Sequence, residues 1–431
     1  MSRDGSTDGG RRWKRWRGEK PWARLLWLLV LIYAIQSLAW TWRNGQRNYG
    51  GEAQAGYQDT RHDIQVDDFG GMWRAALRMS RGETMYYPHT MDRLEMPSKH
   101  GPFLETLLLP MVPLGPRLAA WIWHFLSMVL LAGTLWLGQG LARSVLGRDP
   151  PDWLPFLGFF LLIPFLHLAA RYNQTVFLMV FLTMLALRVI ERRPLLAGIL
   201  LSLPGAIKLL PLVLGPWLLW KRQGRAFAGW VLGLVLSMLP FFVLQGPDLA
   251  VHQLDAYVHM IRADSSFASY HERFQGMPSL VHGTVVEDYA PEISSDPHVT
   301  RWQDVRNFLG FEPFSSWAQG IVVLLSLLLV SGCATVCRWK RPETLRRWLG
   351  EIGLVLLAML LLSPHTWGHY LWWLYPITLF ASIEFFEPEH RRWSKTFLLV
   401  LLVMLTLPQR GLLGVAPVLW QAWAACHGFS R

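Results

Sequence analysis

Charge is scarce in this chain. Only 16% of its 431 residues are Asp, Glu, Lys or Arg, against 52% hydrophobic residues and 24 tryptophans, a balance too apolar for a soluble protein of this size. An all-α, multi-spanning membrane protein is expected. Cysteine is scarcer still. Cys333, Cys337 and Cys426 lie in or beside apolar runs, the first two four apart with no second pair, so neither a disulfide framework nor a zinc site is implied. The GxSxG, HExxH, Walker and GxGxxG elements are missing from any context that would support them, which argues against hydrolase, metalloprotease and cytosolic nucleotide chemistry. No aromatic-interleaved basic groove is present, and the net charge of +11 is gathered into a few short segments. It therefore reports orientation in a membrane, not nucleic-acid binding. No cofactor is expected.

What is present is an alternation of apolar runs and basic flanks. Residues 1–21 form a basic tail, with Arg3, Arg11, Arg12, Lys14, Arg15, Arg17 and Lys20 against Asp4, Asp8 and Glu19, which the positive-inside rule places in the cytoplasm. Residues 22–431 form the transmembrane domain. Trp22 to Trp40 is long enough to span and reads as a retained anchor. It delivers a first outer loop, about 41–116; further outer loops are expected at about 245–316 and 363–370. Basic flanks at Arg143 and Arg148, Arg188 to Arg193, Lys221 to Arg225, Arg338 to Arg347, and Arg391 to Lys395 mark the inner turns. Residues 194–220 have basic clusters at both ends, so one spanning helix would put a cluster on the wrong side. Two short helices broken around Pro204, Gly205 and Pro211 resolve this and set Lys208 near the outer tip. The last apolar region, 397–423, is interrupted at Pro408 to Gly411, and the total comes to about ten to twelve spans.

Within the first outer loop, Asp67 and Asp68 precede a short helical pattern. Phe69, Met72, Trp73, Ala76 and Leu77 share one face, while Arg74, Arg78 and Arg81 take another. This predicts an interfacial helix, with the two carboxylates set to cap its start. Lys99 to Pro110 reads as a short apolar segment entering or lying on the bilayer.

The polar residues that are hard to assign to tail or flank fall on the outer side: Asp67, Asp68, Lys99, His100, Arg171, Gln174, Lys208, His365 and His369. A transporter places costly polar groups at mid-membrane on broken helices, whereas these gather at one surface. One carboxylate beside several cations suits deprotonation of an acceptor hydroxyl while a phosphate leaving group is neutralised. Asp is then the base, and Lys, Arg and His hold the phosphate. Adjacent Asp67 and Asp68 cannot form the opposed pair of a glycoside hydrolase. His365 and His369 are four apart but lack a third ligand, so no metal site is expected. A transporter or flippase of a lipid-linked or small polar substrate, or a non-catalytic membrane scaffold, are the alternative readings.

These residues resemble those of glycosyltransferase family 87, integral membrane enzymes of the GT-C fold. The resemblance rests on Asp68-Phe69 followed by Trp73, Ala75, Ala76, Gly82 and Tyr86, then Lys99 to Pro102 with Pro110, Asn173-Gln174, Gly198 to Pro211 around Lys208, Gln275 to Leu280, and Ser363-Pro364 with Trp367, His369 and Tyr370. It covers most of the chain from about 60 to 380. It implies a GT-C-like bundle and transfer of a hexose, mannose in the first instance, from a polyprenyl-phosphate donor to a lipid or glycan acceptor on the periplasmic side of a bacterial inner membrane. Membrane lipids are the remaining partners. Asp68 is implied as base, with Asp67 as the alternative, and His369 as a contact to the donor phosphate. Lys208, Lys99 and Arg171 are expected to join His369 there, with His100, Gln174, His365 and Tyr370 as further site candidates. Two positions depart from the pattern: an aromatic-Pro-Pro element reads His100-Gly101-Pro102, and the Gly before Gln is Asn173. The first departure lies in the loop next to the implied base, so a donor or acceptor preference different from that of the better-known mannosyltransferases is expected.

Overall fold

The structure, a computed structural model, describes residues 21–48, 68–86, 98–268, 316–337, 342, 344–363 and 368–386. The basic tail to residue 20, Asp67, the Gln275 to Leu280 stretch, His365 and the 397–423 region lie outside the described residues. Every regular element among those described is helical: α1 (Pro21–Asn48), α2 (Asp68–Ser80), α3 (Pro102–Leu108), α4 (Gly115–Leu146), α5 (Leu154–Arg171), α6 (Val176–Val189), α7 (Pro194–Ile207), α8 (Leu214–Trp220), α9 (Gly224–Gln245), α10 (Pro247–Ala268), α11 (Ser316–Cys337), α12 (Leu345–Leu362) and α13 (Tyr375–Phe386), with 3-10 turns at Leu109–Leu114, Leu210–Val213 and Gly368–Leu374. Proline opens several of them, where its missing N–H is harmless. Among the described residues, five helices are long and apolar enough to cross a membrane, and shorter apolar helices at Val176–Val189, Pro194–Ile207 and Leu210–Trp220 accompany them. This is a multi-pass membrane protein.

Packing fixes the direction of the short helices. Gly198 of α7 lies so close to α9 that a Cβ would meet the Ala226 carbonyl oxygen at 1.9 Å; a Cβ at Gly229 of α9 would meet the Leu195 carbonyl oxygen at 2.0 Å and, one turn on, a Cβ at Gly233 would lie 2.9 Å from the Ile199 Cα. Residue numbers rise together along the two helices, so α7 and α9 run parallel, and residues 208–223 return the chain across the layer. The expected hairpin is present, with Lys208 at the turn after α7. Small residues let the backbones approach, which in an apolar layer replaces the driving force that water supplies elsewhere.

Two ends of the bundle are thereby defined. At one end are the turn after α5, the end of α7, the Gly368–Leu374 turn and the start of α2. At the other, the Lys221 ammonium lies 2.8 Å from Glu351 and donates to the Cys337 carbonyl; Arg347 bonds Glu351 at 2.7 Å, and Arg346 forks onto Glu384 at 2.5 and 2.8 Å. The Lys221 side chain is fully buried and that of Glu351 nearly so. Replacing one partner of a buried pair strands the other charge, at a cost of about 3–5 kcal/mol. Lys221→Met is therefore expected to lower the melting temperature in detergent markedly, and adding Glu351→Leu is expected to restore most of the loss; equal stability of Lys221→Met and wild type would show that the clasp is dispensable.

The α2 helix departs from expectation in two respects. It begins at Asp68, so that carboxylate belongs to the first turn and does not precede it. Arg74 and Arg78 are buried along with Phe69, Met72, Trp73 and Ala76, so its second face is covered by protein too. The reason is the wrap of α3, the following 3-10 turn and α4 around it, with Trp73 Nε1 donating to the Met111 carbonyl at 3.3 Å. At its far end, Gln245 donates to the Met79 carbonyl at 2.8 Å, and Gln253 both donates to Glu83 and accepts from the Met85 N–H, each at 2.9 Å.

Candidate active site

The first wall of the site is the turn between α5 and α6. Asn173 has φ 52°, a left-handed conformation that asparagine tolerates better than other side-chain-bearing residues; this accounts for a residue other than glycine there. The turn is pinned from behind. His124 Nδ1 lies 2.6 Å from the Asn173 side-chain oxygen, Trp123 Nε1 donates to the Asn173 carbonyl at 3.0 Å, and Ser37 holds the other His124 nitrogen at 2.8 Å. So fixed, Gln174 is buried and its amide donates to Asp68 Oδ2.

Asp68 reaches solvent on one side although protein crowds it elsewhere. This crowding raises its pKa above the ordinary carboxylate value, against the opposing pull of Lys208 and then Lys99. The open side lets water moderate the rise. The carboxyl remains a base of somewhat increased strength, already turned toward its amide donor.

Lys208 forms the second wall. It follows α7 in extended conformation, its N–H returning to the Pro204 carbonyl, and its side chain is buried. The ammonium donates to the Tyr370 hydroxyl at 2.5 Å and stands 4.2 Å from the centre of the same ring. Burial brings its pKa down to about 7, with Asp68 pulling upward and Lys99 downward. A buried lysine with one carboxyl neighbour and a second lysine nearby favours an additional anion. Beside it, an apolar crevice is lined by Met179, Leu210, Pro211, Met359, Leu360 and Trp373.

His369 and Tyr370 supply the third wall from the Gly368–Leu374 turn, and both are buried. Their rings meet edge to face at 4.5 Å, and Tyr172 approaches His369 at 6.4 Å. His100 completes the enclosure. Its loop is tied to the end of α7 by the Gly101 N–H, which donates to the Ile207 carbonyl at 2.8 Å. Both imidazoles are held well below the usual histidine pKa by burial first and by Lys208 next, with His369 and Lys99 adding to the effect on His100. Both surroundings favour the neutral imidazole.

The structure thus brings together Asp68, Lys99, His100, Gln174, Lys208, His369 and Tyr370. Arg171 stands apart. It is exposed and lies against the Trp40 and Tyr172 rings at 5.9 and 5.8 Å; of the two, Tyr172 is the one that approaches a member of the group, His369. Asp67 and His365 lie outside the described residues. Among the described residues no cluster of His, Cys, Asp and Glu suited to a metal ion occurs. Sequence reading passed over Trp123 and His124 as supports of the turn, and over Ser98 and Glu105 altogether. The one available signal for Glu105 was a carboxylate inside the apolar run PFLETLLLP.

The arrangement offers one base, hydrogen-bonded and solvent-accessible, next to a buried cation with hydroxyl and imidazole neighbours. It can take a proton from a hydroxyl and stabilise an anion that forms beside it. Glycosyltransferase family 87 matches residues 100–364, more than half of the chain, a span that includes His100, Gln174 and Lys208 and starts after Asp68. The chain is also similar to a polyprenol-phosphate-mannose-dependent alpha-(1-2)-phosphatidylinositol mannoside mannosyltransferase of Mycobacterium tuberculosis (strain ATCC 25618 / H37Rv), 23% identical over 383 residues that cover 85% of this chain and 78% of that protein. No solved structure matches it.

Proposed function

The chain belongs to glycosyltransferase family 87, and from that premise we propose that this membrane glycosyltransferase moves a hexose, mannose in the first instance, from a polyprenyl-phosphate donor to a hydroxyl of a lipid or glycan acceptor at the outer face of a bacterial inner membrane. The observation that carries the reading is the pairing of Asp68, held by Gln174, with the buried Lys208 across the same small space. Asp68 takes the proton of the acceptor hydroxyl as its oxygen attacks the anomeric carbon. The bond from that carbon to the phosphate oxygen breaks, and the phosphate leaves with both electrons and its added negative charge. Lys208, with Lys99 and His369, stabilises that charge. A single base, with no second carboxylate opposite Asp68 among the described residues, supports one in-line displacement that inverts the anomeric centre.

The mannose preference draws on the mycobacterial relative, whose name specifies a polyprenol-phosphate-mannose donor. The outer placement draws on charge. The basic residues Lys221, Arg346 and Arg347 occupy the opposite end of the bundle from Asp68 and Lys208, and the positive-inside rule assigns that end and the N-terminal tail to the cytoplasm. The test is direct: purified protein in nanodiscs, radiolabelled polyprenyl-phosphate mannose and a bacterial lipid extract. Label is expected to appear in an acceptor lipid or glycan. Folded protein that moves no hexose from any polyprenyl phosphate, across several donors and extracts, would overturn the reading.

A further inference from the structure

Ser98, His100 and Glu105 form an arrangement that the transfer step above leaves unused. Ser98 Oγ donates to Glu105 Oε1 at 2.5 Å, lies 3.4 Å from His100 Nδ1, and accepts the His100 backbone N–H at 3.3 Å. All three side chains are buried. A serine hydroxyl has one hydrogen and two lone pairs. Its hydrogen is committed to Glu105, so both contacts from His100 must be donations to Ser98, and the ring hydrogen sits on Nδ1. The ring is neutral, because burial and the field of Lys208, His369 and Lys99 oppose its charging. Its Nε2 therefore carries a lone pair. That nitrogen is buried and has no hydrogen-bond partner among the described residues. The assignment holds when Glu105 is ionised and when it carries a proton on Oε2, since Oε1 accepts in both cases; a proton on Oε1 would instead free the Ser98 hydrogen for Nδ1 and place the ring proton on Nε2, the outcome the tautomer measurement reads directly.

The backbone beneath the ring is fixed as well. Tyr86 donates to the His100 carbonyl at 3.1 Å, and a Cβ at position 101 would meet the Ala206 carbonyl oxygen at 2.3 Å. Glycine at 101, with its N–H free to bond Ile207, is what allows the loop to seat His100 against the end of α7. A lone pair is the wrong partner for a phosphate oxygen and the right one for a hydroxyl.

We propose that Ser98 and Glu105 are positioning residues that hold His100 in its Nδ1–H tautomer, so that Nε2 accepts a hydrogen bond from a carbohydrate hydroxyl bound beside Lys208. The proposal rests on the glycosyltransferase reading of the site. The hydroxyl belongs either to the sugar of the donor or to the acceptor, and the site then discriminates among sugars at the position where the loop departs from the family pattern.

The test uses the full chain in nanodiscs with Ser98→Ala, Glu105→Leu and Glu105→Gln. Leucine suits a buried carboxyl position, and glutamine retains an acceptor for Ser98. The first readout needs no substrate: the ring 15N resonances of His100, identified by their disappearance in His100→Gln. Nε2 is expected to be the unprotonated nitrogen in wild type and in Glu105→Gln, and Ser98→Ala is expected to mix the tautomers. The second readout is kinetic. Ser98→Ala and Glu105→Leu are expected to raise KM roughly tenfold for one substrate with kcat and the acid limb of the pH profile unchanged, and Glu105→Gln to stay within about threefold of wild type. A rise for the donor assigns the hydroxyl to the donor sugar, and a rise for the acceptor assigns it there. A proton on Nε2 in wild type, an unchanged tautomer in Ser98→Ala, or an unchanged KM in both loss variants would overturn the proposal, whatever becomes of the transfer assay.

Discussion

Asp68→Asn is expected to slow transfer by about 10²–10⁴-fold, the range lost when a positioned general base is removed, with the melting temperature within a degree or two of wild type. The amide replaces the carboxylate almost atom for atom. It still accepts from Gln174, and the open side of the residue still meets water, so the fold has little reason to respond. What disappears is the proton acceptor and the negative charge facing Lys208. Measuring single-turnover rate and thermal unfolding on one preparation separates the two effects. Wild-type turnover in Asp68→Asn would move the base to another residue, Asp67 first, and leave the rest of the site standing.

Lys208→Met should cost about 10²–10³-fold in turnover, the loss seen when one preorganised stabiliser of developing charge is taken away. Methionine keeps the length and apolar stem of the buried side chain, so the variant is expected to fold. The pH profile gives a finer check. Asp68 must be ionised to act, so kcat/KM rises with pH through its pKa, which crowding places above the ordinary carboxylate value. Lys208 in the free enzyme loses its proton near pH 7, so kcat/KM falls as pH passes through that region. Bound phosphate favours the charged lysine, and the corresponding limb in kcat lies at higher pH. Lys208→Met should abolish the alkaline limb and leave the acid limb in place; an alkaline limb that survives the substitution would assign it to some other group.

Much of this architecture is legible in the amino-acid order, for reasons that can be named. Basic flanks carry the direction of each crossing, and their conflict around 194–220 forces a hairpin that the parallel packing of α7 and α9 bears out. The same argument sets Asp68, Gln174, Lys208 and His369 at one end of the bundle. Periodicity failed at α2, because a stripe of arginines has the same spacing whether it faces water or a protein wall, and Arg74 and Arg78 are buried. Arg171 is expected to join the phosphate ligands because its turn falls on the outer side with them, yet in the structure it lies against the Trp40 ring. The Ser98 and Glu105 contacts depend on how a loop folds over α7, and local sequence encodes that only as a glycine where a bulkier residue would collide.

The close seam between α7 and α9 bears on how the enzyme meets its surroundings. Where Gly198 and Gly229 sit, main chain lies against main chain, with no flexible side chain between to yield. Much of the outward surface of α9 is exposed apolar side chain: Val231, Leu232, Val235, Leu236, Leu239, Val243 and Leu244. The helix therefore acts as a bulkhead. Its outer side faces lipid, while its inner side holds α7, the helix that ends at Lys208, largely through close backbone contacts. Acyl chains can change in length or saturation against one side without moving the ammonium that waits on the other.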